Sequence, residues 1–182
     1  KNNAATSAYK GLALATNRGA NYLYAANFKT GKIDVFDKNF NSVSMLFKDP
    51  NLPAGYSPFN IQNIDGLLFV MYAKVGPSGD EEVGMGKGYV DIYNTNGTFV
   101  KRFVSGGQLN APWGVAKATA NFFNDEDIDR KNEDKDDKNG DDKTFILVGN
   151  FGNGHINAYR SNGKFFGELW SHKKPVEIEG LW

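Results

Sequence analysis

The side chains best suited to hold a ligand stand near the starts of repeated segments of this sequence. These segments begin YKGLALA at Tyr9, SPFNIQNI at Ser57 and APWGVAKA at Ala111, and the chain closes with IEGLW. Aromatic and amide groups are what binding pockets use to stack against and orient small molecules. The candidate ligand-binding residues are therefore Tyr9, Asn60, Asn110, Trp113 and Trp182. Packing between neighbouring repeats is the alternative role for the same side chains.

Groups that could carry covalent or acid–base catalysis are sparse. The chain has no cysteine, which excludes a thiol nucleophile, disulfides and thiolate metal sites. His155 and His172 are its two histidines, and neither stands in a nucleophilic motif such as Gly-x-Ser-x-Gly. His155 falls on a strand position that the alternation of polar and apolar residues predicts to face solvent. We therefore predict no catalytic residue.

An acidic stretch, DEDIDRKNEDKDDKNGDD at residues 125–142, is the strongest candidate for a cation site by charge alone. If Gly140 took the glycine position of an EF-hand loop, the first ligand would be Lys135 and the twelfth Ile146. Lysine and isoleucine are not the ligands that an EF-hand loop has at those positions, so the stretch does not match an EF-hand. A segment this highly charged cannot bury enough apolar area to offset the entropy lost on ordering it. We therefore expect residues 125–142 to form an exposed loop. No cofactor is predicted, with weak calcium binding as the alternative.

The overall charge points to no polyanionic partner. The 21 basic and 21 acidic residues cancel, so neither nucleic acid nor an anionic membrane is indicated. The sequence also contains no apolar run near the roughly 18 residues that a membrane-spanning helix requires.

The repeated segments extend into longer units that predict an antiparallel meander. Each unit continues with a run rich in aromatic and β-branched residues, an alternating strand, a polar turn and a further strand. The second runs are NYLYAANF, LLFVMYAK and TFILVGNF, the third KIDVFD, YVDIYN and HINAYR, and the fourth SVSMLF, TFVKRFV and KFFGELW. With the acidic stretch set aside, the units recur about every 50 residues, a period typical of β-propellers.

The sequence thus predicts an all-β fold, a β-propeller of four-stranded antiparallel blades. We place the blades at about residues 9–47, 57–104 and 111–170, the third with the insert 125–142, and the start of a fourth at 178–182. Propellers close with about four to eight blades. Three blades therefore predict about half of a six-bladed ring, completed by missing blades or by another copy of the chain.

Two sets of polar residues recur at fixed places in the units. Asn27 and Asn150 end second strands, where an asparagine amide commonly bonds the backbone of a turn. Asp34, Asp91 and Asn157 share one position of the third strand. We expect the first set to be structural and the second set to form hydrogen bonds between blades.

The unit PWGVA, ILVGNFGNGHINAY, NGKFFGEL resembles an NHL-type repeat. More closely, LYAANFKTGKIDVFD, DPNLPAGYSPFNIQNI and FVSGGQLNAPWGVA resemble an uncharacterised family of secreted bacterial propeller proteins, some with a PEP-CTERM sorting tail. The similarity runs from about Tyr9 to Trp182 and departs at the acidic insert. It implies a propeller fold and a secreted, periplasmic or extracellular location.

A second resemblance concerns the EGLW at residues 179–182, which is similar to the Glu-Gly-Pro-x-Trp motif of the gluconolactonase family. The glutamate of that motif ligates a divalent metal, a role suited to a carboxylate oxygen. The resemblance therefore implies Glu179 as a metal ligand, although the family's other ligand positions have no match here.

These observations favour a non-enzymatic propeller that binds a protein or a glycan on its loop face, outside the cell. Two alternatives stay open: a metal-dependent lactonase or hydrolase of the six-bladed type, and a structural component of an envelope or extracellular assembly. A cluster of carboxylates and amides around a metal would favour the enzyme.

Overall fold

The computed structural model describes residues 6–123, 128–129 and 144–181 of the chain. Within these ranges the protein is all-β, built of antiparallel sheets, and its single helical element is the 3₁₀ turn Ala120–Phe122. In the described part of the chain, no helix has the length and apolar character to cross a membrane. The expected all-β class is confirmed. The acidic segment 125–142, apart from the backbone of 128–129, lies outside the described residues.

The chain divides into two compact units, Lys1–Pro112 and Trp113–Trp182. The first unit contains two sheets. The first sheet has the order β1-β2-β3-β4, and the second has the order β5-β6-β8-β9 with β7 added to β6. The strands are β1 Tyr9–Asn17, β2 Ala20–Asn27, β3 Lys32–Phe36, β4 Ser42–Val43, β5 Tyr56–Ile64, β6 Leu67–Val75, β7 Glu81–Glu82, β8 Gly88–Asn94 and β9 Phe99–Ser105.

The second unit is built on one sheet of six strands. Its order is β10-β12-β13-β14-β11, and β15 pairs with β14. The strands are β10 Pro112–Thr119, β11 Ile128–Asp129, β12 Thr144–Asn150, β13 Ile156–Arg160, β14 Phe165–Ser171 and β15 Lys174–Pro175. In this third sheet Phe123, Phe145 and Phe166 pack ring against ring. This aromatic cluster accounts for part of the phenylalanine content of the unit.

Tight turns of the expected chemistry join the strands. Asn94 and Gly97 close the turn between β8 and β9, where the Gly97 amide donates to the Asn94 carbonyl at 2.9 Å. Gly163 closes the turn between β13 and β14 in the same way, with its amide on the carbonyl of Arg160. Both glycines have φ near 90°, a backbone region that other residues rarely adopt.

The core of the first unit lies between its two sheets. One face of the first sheet contributes alanine, tyrosine and β-branched side chains, and the facing side of the second sheet contributes larger ones. The alternation of strands puts these residues on one face each. The buried residues in this core are Ala13, Ala15, Tyr24, Ala26, Ile33 and Val35 from the first sheet and Ile61, Leu68, Val70, Tyr72 and Tyr93 from the second.

The fourth strand of the first sheet differs from the sequence prediction. The segment SVSMLF predicts a strand over residues 42–47, but β4 spans only Ser42–Val43. The chain then leaves the sheet edge, and the ring of Phe47 packs between Tyr24 and Tyr93, with centroids 5.9 and 5.3 Å away. We call this connection, residues 44–52, the strap. Packing against the core replaces strand pairing for its residues Met45, Phe47 and Leu52.

Candidate functional site

Two of the candidate ligand-binding residues are engaged inside the first unit. Asn60 is buried, and its Oδ1 accepts a hydrogen bond from the Ile61 amide at 2.8 Å. It also packs against Gly11 of β1, where a Cβ would come within 2.8 Å of the Asn60 Cα. Asn110 is buried too, and its Oδ1 accepts from the Gly84 amide at 2.6 Å. Both amides therefore hold neighbouring backbone in place.

The remaining candidates have different surroundings. Tyr9 is partly exposed and lines two cavities. Trp113 is half-buried in β10, and Glu179 is exposed near the end of the second unit. Trp182 lies outside the described residues. Ligand binding by these residues stays a prediction, and so does metal binding by Glu179.

The two cavities that share Tyr9 form a groove on the first sheet. One has a volume of about 550 Å³ and lies along β3 and the start of the strap, and the other, of about 620 Å³, lies over β1 and β2. Phe36 and Ser42 line both. We call this side of the first sheet the outer face; its apolar side chains are Leu12, Leu14, Leu23, Phe36 and Phe40.

A hydrogen-bonded triad stands in this groove. The Tyr9 hydroxyl donates to Oδ2 of Asp34 at 2.9 Å, and Nδ2 of Asn27 donates to the same oxygen at 2.8 Å. Oδ1 of Asn27 accepts from the Ala8 amide at 3.1 Å, so the asparagine fixes the chain before β1. The structural role predicted for Asn27 is confirmed. The hydrogen bonds of Asp34 shown here lie within the first sheet, so a bond from Asp34 to another blade stays a prediction.

The equivalent aspartate of the second sheet, Asp91, belongs to a buried polar network. Arg102 of β9 pairs through Nε with Asp91 and through Nη2 with Asp49 of the strap. Both carboxylates are almost wholly buried. The hydroxyls of Tyr72 and Tyr93 lie 2.9 Å apart, and the Tyr93 hydroxyl donates to Asp91 at 3.5 Å. The network therefore fastens the strap to the second sheet.

Burial governs the protonation of this network. It raises the pKa of Asp91 to about 7, although the Arg102 guanidinium acts in the opposite direction. Desolvation also raises the pKa of Tyr72 and of Tyr93 well above the ordinary range, so both hydroxyls remain protonated. Two buried carboxylates share one cation here, and the arrangement favours a proton on Asp91 near neutral pH.

A long loop between β6 and β8 forms the second conspicuous surface of the first unit. We call residues 76–87 the anchored loop. Its first part folds back, since β7 pairs with the end of β6. Lys10 of β1 contacts Glu81 at 3.3 Å, and Lys87 pairs with Glu82. The loop is thus tied to the first sheet at one end and closed by an internal ion pair.

The far side of the anchored loop is held by the connection after β9. Besides the bond from the Gly84 amide to Asn110, the Ala111 amide donates to the Lys87 carbonyl at 3.2 Å. Val83, 50% exposed, and Met85, 73% exposed, lie on either side of Gly84. An apolar pair therefore projects into solvent from a loop whose backbone is fixed on both sides.

In the second unit, His155 is less exposed than the alternation predicts. Its side chain is about one quarter exposed, and Nδ1 pairs with Glu168 of β14. His155 is therefore partly exposed at the predicted position, and the third sheet supplies a carboxylate beside it. Among the described residues, no group of three or more histidine or acidic side chains could hold a metal ion.

Sequence reasoning missed the Asp49–Arg102–Asp91 network and the anchors of the loop. The pairing of Arg102 with Asp91 follows from the register of β8 and β9, in which the two residues are direct partners. That register could have indicated a cross-strand ion pair. Asp49 and Asn110 lie in connections, where the sequence pattern gives no contact partner.

Comparisons with known proteins place the chain beside viral relatives. Two uncharacterized proteins of Acanthamoeba polyphaga mimivirus are each 36% identical to it, over 96% and 95% of this chain and over 43% and 40% of their own length. A third protein of that virus is 32% identical over 95% of this chain. The chain thus spans less than half the length of the curated relatives it matches.

No protein-family profile matches the chain. Among solved structures, a gluconolactonase of Xanthomonas campestris is similar with a TM-score of 0.40 and 12% identity. That similarity covers 87% of this chain and 60% of the gluconolactonase.

Proposed function

We propose that this chain is a β-propeller-type scaffold that binds a partner protein through its anchored loop. Three consecutive antiparallel sheets, two of them in plain meander order, support the propeller part of the proposal. The third strand of each sheet has a polar residue at an equivalent position, Asp34, Asp91 or Asn157. Blades of one repeat give a rigid frame from which loops project.

The observation that carries the binding role is the exposure of Val83 and Met85 on a fixed loop. Single exposed apolar residues are common on protein surfaces. These two stand together on a backbone held by Asn110 and by two ion pairs. A fixed loop loses little conformational entropy when a partner binds, so its apolar contacts contribute more fully to affinity. Methionine also adapts its shape to different partner surfaces.

The test uses a photo-crosslinking amino acid placed at Met85 in the protein expressed in its natural host cells. A matched control carries the same amino acid at Lys38, which lies exposed in the turn between β3 and β4. We expect discrete crosslinked species from position 85 and none of these species from position 38. The double substitution Val83→Ser and Met85→Ser should reduce partner recovery about tenfold or more. Equal crosslinking from both positions would contradict the proposal.

The location outside the cell stays a prediction, as do the lactonase and envelope-assembly alternatives. The same crosslinking experiment bears on the choice of ligand class. A glycan partner would give no protein crosslink from position 85.

A further inference from the structure

The residues paired across the strands of the first sheet match those of the second sheet position by position. The surroundings of a residue in one sheet therefore indicate the surroundings expected at the matching position of the other. In the first sheet Leu12 pairs with Ala25, and Ala25 pairs with Asp34. In the second sheet Ile61 pairs with Val70, and Val70 pairs with Asp91. Both first strands also have their register shift at the same place, between Tyr9 and Gly11 and between Pro58 and Asn60.

These two matching rows of paired residues differ in their exposure to solvent. Ile61, Val70 and Asp91 are completely buried, whereas Leu12 is 58% exposed and Asp34 is only partly covered. The second sheet owes its burial to the first sheet, whose alanine and β-branched side chains pack on Ile61 and Val70. The outer face of the first sheet therefore corresponds to the face of the second sheet that the first sheet buries, but its own residues are more exposed.

We infer that the outer face of the first sheet is the docking surface for a further antiparallel sheet of this same repeat, supplied by a longer polypeptide. The curated relatives have more than twice the length of this chain, which leaves room for further repeats. The established interface between the first and second sheets gives the shape of the cover: small and β-branched residues such as Ala13, Ala26 and Val35.

The charges of the groove add a second requirement on the occupant. Lys32 and Lys48 line the same cavity as Asp34, so cations outnumber the carboxylate there. In the established interface the strap brings Asp49 against Arg102. A strap of the same pattern, leading from the covering sheet into the first sheet, would bring a carboxylate to Lys32 or Lys48.

The experiment builds the cover from this chain's own sequence. Tyr9 and Pro58 occupy equivalent places 49 positions apart. A tandem duplication of residues 7–55 therefore adds a complete first sheet and strap in register. Because the chain contains no cysteine, Leu12→Cys in the retained copy gives a single thiol whose labelling rate reports coverage. We expect labelling at least tenfold slower in the duplicated chain than in the unduplicated one.

Three variants make the result decisive. Met85→Cys should label equally fast with and without the duplication. Ala26→Asp in the added copy, which places a charge on its covering face, should restore fast labelling of Leu12→Cys. Since one added sheet could fail to fold, a second duplicated chain is also tested. In that chain the added segment is a copy of residues 56–109 rather than of residues 7–55, and the original residues 7–55 are kept. Fast labelling of Leu12→Cys with both added sheets overturns the inference.

The oligomeric state separates a covering sheet from a second copy of the chain. The unduplicated Leu12→Cys chain should be a monomer by light scattering, with a labelling rate independent of protein concentration. Slow labelling that accompanies dimer formation would assign the outer face to a second copy and overturn the inference. None of these readouts depends on the anchored loop, so the proposed function and this inference can fail separately.

Discussion

At the scale of single residues, the buried network around Arg102 is the most consequential arrangement in the first unit. A guanidinium can satisfy two carboxylates through separate nitrogens, and here it does so with Asp91 on a strand and Asp49 on the strap. Burying two carboxylates with one cation is costly unless one of them takes a proton. Asp91 therefore links the packing of the strap to pH.

We predict that Asp91→Asn flattens the pH dependence of stability. With its pKa raised to about 7, the Asp91 carboxyl is protonated in the folded protein between about pH 4 and 7, where the unfolded chain has lost that proton. The folded state then binds more protons, so the free energy of unfolding decreases as the pH rises toward 7. Urea unfolding at pH 5 and pH 8 should show a decrease on the order of 2 kcal/mol from this group, absent in Asp91→Asn.

The control for this prediction is Asp65→Asn, at an exposed turn residue between β5 and β6. It should keep the pH dependence of the unsubstituted protein. If Asp91→Asn and Asp65→Asn show the same dependence, the carboxyl of Asp91 does not take up a proton on folding.

At the scale of elements, the contact between β1 and β5 depends on one small residue. Gly11 lies where Asn60 of β5 approaches the backbone, and the nearest Asn60 atoms leave no room for a side chain. The Nδ2 of Asn63 also donates to the Leu14 carbonyl at 3.0 Å, so the two first strands are fixed side by side. The approach of these strands sets the spacing of the two sheets.

We predict that Gly11→Ala destabilises the first unit by about 2 kcal/mol or more, because the added Cβ must displace the backbone of β5. The matched control is Gly114→Ala in β10, where the nearest neighbouring atoms to an added Cβ lie 3.9 Å away. That substitution should change stability by about 0.5 kcal/mol or less, in either direction. Thermal unfolding of both variants measures the difference, and equal effects would show that the approach of Asn60 to Gly11 is not restrictive.

The elements also show how far sequence reasoning reached. Predicted strand starts near Tyr9, Ser57 and Ala111 compare with observed strands from Tyr9, Tyr56 and Pro112. Periodicity could find these because each strand has one face in a core. It gave too long a fourth strand in the first sheet, because Phe47 finds its partners on two sheets. The apolar character of Phe47 indicates that its side chain is buried, but not which element it packs against.

The candidate sites were less predictable for the same reason. Asn60 and Asn110 were singled out by residue type and position, but each accepts a hydrogen bond from a backbone amide, that of Ile61 and that of Gly84. The anchored loop is long and rich in glycine. Its fixation depends on Lys10, on Asn110 and on the β6–β7 pairing, contacts that only the folded chain brings together.

At the scale of the whole molecule, the first unit is a two-layer structure with its core between the two sheets. Its main hydrophobic cluster draws residues from both the first and second sheets, and every member lies within residues 13–93. A sheet requires a second layer to bury its apolar face, and two packed layers suffice for a domain. The connection that ends the unit, with Asn110, also fixes the anchored loop.

We therefore predict that residues 1–112 fold by themselves. This fragment retains both sheets, the strap and Asn110, so it keeps the hydrophobic cluster between the sheets and the buried ion pairs of Arg102. A fragment of residues 1–55 is the matched control; it keeps the first sheet but loses the layer that covers Tyr24, Ala26 and Val35. We expect a cooperative urea transition and dispersed amide resonances from residues 1–112, and neither from residues 1–55. A disordered 1–112 fragment would mean that the first unit draws its stability from residues 113–182, and the two-layer explanation of its core would then be insufficient.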